Sequence, residues 1–206
     1  GCDVLLAGNI GYSFSYALSK KDYDYVVLEV SSFQLDNIID FKPFISVLLN
    51  ITPDHLDRYK GDFSKYINAK HKITLNQNHN DYIIYNYDDE SVRSIKTQAK
   101  KIPISLFSTL KDDAGFYKNN KISINLNNSK MTINKLALQG KHNIFNSMAA
   151  AMAARVFEVS DDLIRQSLID FENVEHRLEY VLKVHGIDFI NDSKATNVNA
   201  AWYAVE

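Results

Sequence analysis

The sequence predicts an α/β fold, a mostly parallel sheet flanked by helices with a small antiparallel sheet appended to it. Two observations carry this. Three short apolar segments, at residues 3–8, 24–30 and 44–50, alternate with more polar, helix-compatible stretches, the β-α-β rhythm of a parallel sheet. From 81 to 138 the texture changes to short runs rich in Ile, Tyr and Thr, broken by Asp88-Asp-Glu90, Lys118-Asn-Asn120 and Asn127-Asn-Ser129. Runs of that kind favour strands and hairpins.

Each element has its own justification. Asp3-Val-Leu-Leu-Ala7, Tyr25-Val-Val-Leu-Glu29 and Phe44-Ile-Ser-Val-Leu-Leu49 are nearly continuous apolar runs, the pattern of strands buried on both faces. Asp62 and Ser64 open a helix in which Phe63, Tyr66, Ile67, Lys70, Ile73 and Thr74 recur at spacings of three and four. Lys70 therefore falls on the apolar face. A longer helix is expected at about 142–157, where Ala149, Ala150, Ala151, Ala153 and Ala154 combine close packing with high propensity. Ser160 caps the next helix, with Asp161 and Asp162 in its first turn. The helical pattern ends around Glu175. Residues 178–184 and 187–190 then read as two strands joined at His185-Gly186, and a second domain is expected to start there.

Composition bounds the function. The 206 residues are 46% hydrophobic and 23% charged, ordinary for a soluble globular protein with one core. A net charge of -2 gives no support to nucleic-acid or polybasic membrane binding. The single cysteine, Cys2, rules out an internal disulfide framework and fits a reducing, cytoplasmic setting. No apolar run reaches the roughly 18 to 20 residues that span a bilayer, and no signal pattern opens the chain. The first residue is Gly1, directly before a strand, and Asn199-Ala-Ala-Trp-Tyr-Ala-Val-Glu206 reads as the opening of a helix. Both ends are expected to be interior to a longer protein.

The chemistry-bearing residues cluster after the strands. Glu29 lies at the end of one apolar run, and His55 stands in the polar segment Asn50-Ile-Thr-Pro-Asp-His-Leu-Asp-Arg-Tyr59 directly after another. Ligands of open α/β sheets gather outside the carboxyl ends of the strands. The two side chains can converge there on Mg²⁺ or Mn²⁺, or Glu29 can face solvent and His55 can serve a turn. Lys70 either snorkels to water or stays inside, where desolvation favours the neutral amine that reacts with carbon dioxide to give a carbamate. Asn143 and Asn146 share one face at the start of the alanine-rich helix and suit the edge of adenine. Arg177 and Lys194 suit phosphate. Zinc spacings, Gly-x-x-x-x-Gly-Lys-[Ser/Thr], Gly-x-Ser-x-Gly and Gly-x-Gly-x-x-Gly do not occur in these residues.

Taken in order, the segments resemble the Mur ligases, ATP-dependent amino-acid-adding enzymes of peptidoglycan synthesis. The resemblance rests on Gly8-Asn9-Ile-Gly11, Glu29-Val-Ser-Ser-Phe-Gln-Leu35, Asn50 to Tyr59, Ala69-Lys70, Gly140-Lys-His-Asn-x-x-Asn146, His176-Arg177-x-Glu179 and Asn191-Asp-Ser-Lys-Ala-Thr-Asn197. It implies a central ATP-binding domain over 1–174 without its N-terminal P-loop portion, and the truncated start of a C-terminal amino-acid-binding domain over 175–206. It implies two Mg²⁺ sites, with Glu29, His55 and a carbamylated Lys70 as ligands. Lys70 and His55 would act in catalysis. Asn143, Asn146, Arg177, Asp192 and Lys194 would hold ATP; Asn9, Ser31, His55 and Thr196 would contact the other substrate. The last segment departs from the Asp-x-Ala-His-Asn-Pro form of the sister ligases and of folylpolyglutamate synthetases. It points to the members that add D-glutamate to UDP-N-acetylmuramoyl-L-alanine through an acyl phosphate, with a monomeric parent. Another acceptor, or a non-catalytic nucleotide- or partner-binding module derived from a ligase, remains the alternative. Without a phosphate cradle, these residues alone are expected not to ligate.

Overall fold

The computed structural model describes residues 2–138, 140–172, 179–193 and 195. Strands β1 (Val4–Gly8) and β2 (Tyr25–Glu29) pair in parallel, with Val4 opposite Tyr25 and Gly8 opposite Glu29. Helix α1 (Phe14–Leu18) connects them. Leu5 and Ala7 pack against Ala17, Phe14, Tyr23 and Leu28. Side chains alternate between the faces of a strand, so Val4, Leu6, Tyr25 and Val27 point the other way, and all four are exposed. The expectation that these two runs are buried on both faces is thus corrected. Among the described residues only one face of the pair is covered along its length.

The second sheet is larger. β3 (Ile45–Leu48), β4 (Tyr82–Asn86), β5 (Lys100–Ser105), β6 (Ala114–Lys118), β7 (Lys121–Leu126) and β8 (Ser129–Ile133) follow one another in chain order across it. The first four are parallel and the last three antiparallel. The expected antiparallel sheet is therefore the outer half of one mixed sheet, joined where Ile104 and Ser105 pair with Gly115 and Phe116. Its hairpins turn at Asn119-Asn120 and Asn127-Asn128, all four with φ between 51° and 61°. Two-residue turns that match the strand twist require positive φ at both positions, which Asn tolerates.

Helices pack on both faces of this sheet. α3 (Phe63–His71) begins at Asp62, whose carboxylate accepts from the Ser64 N–H at 3.0 Å, and it runs on as a 3₁₀ turn over Lys72–Thr74. α4 (Glu90–Arg93) is capped by Asp89, which accepts from the Val92 N–H at 3.0 Å. Tyr66 and Ala69 of α3 and Val92 of α4 pack with Leu48, Ile83 and Tyr85. On the other face α5 (Lys141–Val156) seats Met148 and Met152 on Ile84, Ile104, Ile122 and Ile124. A Cβ at Gly115 would lie 2.9 Å from Ile104 Cγ2 and 3.0 Å from Met148 Cγ, so glycine is what lets α5 settle this close.

α6 (Asp161–Ile169) follows, with Ser160 in the N-cap position but making no side-chain cap bond. Asp161 pairs with Arg155 instead. The helix ends at Ile169, ahead of the boundary expected near Glu175. β9 (Glu179–Val184) and β10 (Ile187–Asn191) form a separate antiparallel hairpin, turned at His185 and Gly186 with φ of 48° and 84°.

One contact sets the direction of the layers. Phe157, the C-cap of α5, meets Tyr25 at 5.1 Å and Phe44 at 5.6 Å between ring centroids. Both partners lie at the amino ends of their strands. A helix of four and a half turns spans about 24 Å, so the N-terminus of α5 lies toward the carboxyl ends of the parallel strands.

Candidate active site at the carboxyl ends of the strands

Gly8 brings the first group in. Its φ is 116°, and a Cβ there would lie 2.3 Å from the Glu29 carbonyl oxygen. Only glycine permits this close approach. The Asn9 N–H then donates to that carbonyl at 2.8 Å. Asn9 and Glu29, two of the candidate residues, are therefore neighbours at the carboxyl end of the β1–β2 pair. Glu29 is exposed, so a burial cost for its carboxylate gives no argument for a metal.

Chain continuity carries the site onward. α2 (Ser32–Leu35) starts immediately after β2, with Ser31 as its N-cap in a capping box: Ser31 Oγ accepts from the Gln34 N–H at 3.3 Å, and the Ser31 N–H donates to Gln34 Oε1 at 2.9 Å. This occupies Ser31 structurally. α2 in turn grips the segment after β3. The Phe33 ring lies 5.0 Å from the His55 ring and 4.6 Å from the Arg58 guanidinium. Tyr59 donates its hydroxyl to Asp36 at 3.2 Å, and Lys72 donates to the Asp36 carbonyl at 2.8 Å. His55 has φ 50°, in the sparsely populated left-handed region, and its N–H donates to Asp54 Oδ1 at 2.9 Å.

Lys70 completes the cluster. The lysine is half-buried, and Nζ lies 5.5 Å from the centre of the Tyr66 ring. Burial pushes its ammonium below the ordinary lysine range, and the carboxylates of Glu29 and Asp54 oppose that push only in part. Burial likewise raises the Tyr66 hydroxyl, with Asp54 and Tyr59 adding to it. The shared influence of Asp54 places Lys70, Tyr66, Glu29 and the His55 segment in one electrostatic neighbourhood. Among the described residues no three His, Cys, Asp or Glu side chains lie close enough to hold a metal ion. Glu29 and His55 supply one carboxylate and one neutral imidazole, and a carbamate on Lys70 would add a third donor, anionic like the carboxylate. The donor set fits Mg²⁺ on that condition.

The nucleotide side is less complete. Asn143 is half-buried and Asn146 exposed, both in the first turns of α5 and so toward the carboxyl ends of the parallel strands. Gly140, with φ 93°, holds the N-cap position, which leaves neither asparagine as the cap. Asp192 follows β10, and its carbonyl accepts from the Ala195 N–H at 2.9 Å. Arg177, Lys194 and Thr196 lie outside the described residues. Sequence reasoning missed Tyr66 as a partner of Lys70, although their spacing of four on one helix was the available signal. It also missed Phe33 and Asp36, which act across elements and leave no local pattern.

With these groups at the carboxyl ends of parallel strands, the chain has the layout of a ligand-binding α/β domain. It belongs to the Mur ligase family: residues 9–154 match the Mur ligase middle domain. A protein of Salinibacter ruber named UDP-N-acetylmuramoylalanine--D-glutamate ligase is 49% identical over 216 aligned residues, covering 100% of this chain and 47% of that protein. A protein of the same name from Christiangramia forsetii is 45% identical, again over 100% of this chain and 47% of its own length. The chain thus spans about half the length of the curated relatives it matches. Among solved structures, a MurF ligase of Thermotoga maritima in complex with ADP superposes with a TM-score of 0.67 at 20% identity, over 93% of this chain and 47% of that one. MurF from Acinetobacter baumannii gives 0.66 at 17%, over 97% and 52%. These two likenesses establish the fold. Among the described residues no helix is long and apolar enough to cross a membrane.

Proposed function

We propose that this chain is the central part of an ATP-dependent ligase that joins D-glutamate to UDP-N-acetylmuramoyl-L-alanine in peptidoglycan synthesis. Residues 1–174 form its nucleotide-binding domain without the phosphate cradle, and 175–206 open its amino-acid-binding domain. The parent is a cytoplasmic monomer. The names of the relatives that align with the whole of this chain support the acceptor. The observation that carries the chemistry is Lys70, an amine pushed toward its neutral form between Tyr66 and two carboxylates.

In the reaction, the γ-phosphoryl group of ATP passes to the substrate carboxylate, giving ADP and an acyl phosphate. The neutral amine of D-glutamate attacks the acyl carbon to give a tetrahedral intermediate, inorganic phosphate leaves with the C–O bond electrons, and the nitrogen gives up one proton to the departing phosphate as the amide forms. Neutral Lys70 attacks carbon dioxide, forms an N–C bond and loses a proton, so that a cation becomes an anionic oxygen donor. Bound by Glu29, His55 and that carbamate, Mg²⁺ would neutralise charge on the phosphoryl oxygens. Asn9 and Ser31 orient the muramoyl substrate, with His55 near its reactive end and Thr196 as a further contact. Asn143 and Asn146 face adenine; Arg177, Asp192 and Lys194 reach the nucleotide from the second domain.

The test is made on the full-length protein. Amide formation with D-glutamate should exceed that with L-lysine, diaminopimelate or L-glutamate. Lys70→Ala should lower turnover by at least about a hundredfold, the scale of a lost charge-stabilising group, with partial rescue by short carboxylic acids. Unimpaired turnover of Lys70→Ala would overturn the role of Lys70. A preference for another acceptor would overturn the substrate.

A further inference from the structure

His55 stands in the candidate site without the hydrogen bond that ordinarily aims a functional histidine. Such a ring is oriented through its second nitrogen, which donates to a carboxylate or a carbonyl. Among the described residues neither ring nitrogen of His55 makes a hydrogen bond. Asp54 Oδ1 accepts from the backbone N–H at 2.9 Å and stays 3.8 Å from Nδ1. The side chain is 54% exposed, so solvent alone would leave the ring free to turn.

What the imidazole does touch is Phe33. The ring centres are 5.0 Å apart and the planes are tilted by 55°, within the range of favourable aromatic contact. Phe33 is itself held. Its neighbours on α2, Ser32 and Leu35, are buried, and its ring packs on the cluster that contains Leu48, Tyr59 and Tyr66. The Arg58 guanidinium lies 4.6 Å from its centre. Arg58 Nε is 3.6 Å from Asp36 Oδ2, the oxygen that also accepts from the Tyr59 hydroxyl. Asp36 is the C-cap of α2, so one short helix carries the ring and the anchor of the cation against it. The backbone agrees: His55 takes φ 50°, and its carbonyl accepts from the Arg58 N–H at 3.1 Å. The turn at His55 is thus closed by the residue whose side chain lies against Phe33.

We propose that Phe33 is a positioning residue. It fixes the plane of the His55 imidazole by packing, with Arg58 as its clamp, and leaves both ring nitrogens open to ligands. Ser31 is the N-cap of the same helix, so α2 also sets the two substrate-side groups relative to each other. The consequence for turnover rests on the role given to His55 under the proposed function.

The experiment uses the full-length protein with isotope-labelled histidine and the variants Phe33→Leu, Phe33→Tyr, Arg58→Gln, His55→Gln and Phe33→Leu combined with His55→Gln. Without nucleotide or metal, the His55 ring signal, assigned by its loss in His55→Gln, should move in Phe33→Leu toward that of the exposed His79. In Phe33→Tyr it should stay near the parent position. Arg58→Gln, an exposed change that spares the core, should move it in the same direction as Phe33→Leu. Turnover should fall about 10- to 100-fold in Phe33→Leu, the usual cost of losing a group that orients a ligand, and recover in Phe33→Tyr. It should fall no further when Phe33→Leu is added to His55→Gln, because a residue acting through His55 then has nothing to position. An unmoved ring signal in Phe33→Leu and Arg58→Gln, parental turnover in Phe33→Leu, or losses that multiply in the combined variant would overturn the role of Phe33. Unimpaired turnover of His55→Gln would instead overturn the reading of the site, and the ring signal would still decide whether Phe33 orients the imidazole.

Discussion

The two parallel regions of this molecule differ in how they are closed. In the β3–β8 sheet, helices lie on both faces, and Ile83, Ile84 and Ile104 are completely buried. The β1–β2 pair has α1 on one face and exposes Val4 and Leu6 at 54% and 55% on the other. Yet the candidate site takes Asn9 and Glu29 from the open pair, and His55 and Lys70 from the closed sheet. Neither region holds the site alone. It is assembled across a seam fastened at one end by Phe157 against Tyr25 and Phe44, and at the other by Phe33 against His55 and Arg58.

The comparison can be broken most directly in the cores. Ile104→Ala should cost about 2–5 kcal/mol in denaturant unfolding, whereas Leu6→Ala should stay within about 0.5 kcal/mol. Equal losses would mean that the β1–β2 pair is as closed as the sheet. The seam comes next. Phe157→Ala should cost about 1 kcal/mol through its aromatic contacts and should speed hydrogen exchange in β1 and β2 more than in β4 and β5. Uniform acceleration would remove Phe157 as the fastener.

The smallest effect concerns Lys70 and sharpens the same picture through pH. Burial lowers its pKa in the folded state, so the unfolded chain binds more protons between the folded value and the ordinary 10.5. Stability therefore rises with pH across that window, and below it the charged, half-buried lysine is a net burden. Lys70→Met should be slightly more stable than the parent at neutral pH, with the difference shrinking as pH approaches 10.5. A difference that grows with pH would show that the ammonium is held by Glu29 and Asp54 rather than desolvated.

Much of this was legible in the chain, for local reasons. The spacing of three and four from Phe63 to Thr74 located α3 and put Lys70 on its inner face, because helix periodicity is set by hydrogen bonds within the segment. The Asn-Asn pairs marked both hairpins, since positive φ is a single-residue preference. The apolar runs at residues 3–8 and 24–30 misled as to burial. A hydrophobic run reports what a strand can bury, and it does not report which neighbours are there to bury it. That the antiparallel strands are appended to the parallel sheet was legible, but not that β5 carries the join, because it rests on two register pairs between segments with no common pattern.

The candidate site divides along the same line. By itself the sequence determined which groups are present and where in each element they stand: Glu29 closing a strand, His55 just beyond another, Lys70 on a helix face, Asn143 and Asn146 opening α5. Backbone geometry fixes such positions within a few residues. Only the tertiary structure decided that Gly8 brings Asn9 onto Glu29, that Phe33 and Asp36 draw the His55 segment to α2, and that Tyr66 lies under Lys70. Those contacts join residues far apart in the chain, and their strength depends on the exclusion of water, which no segment achieves alone.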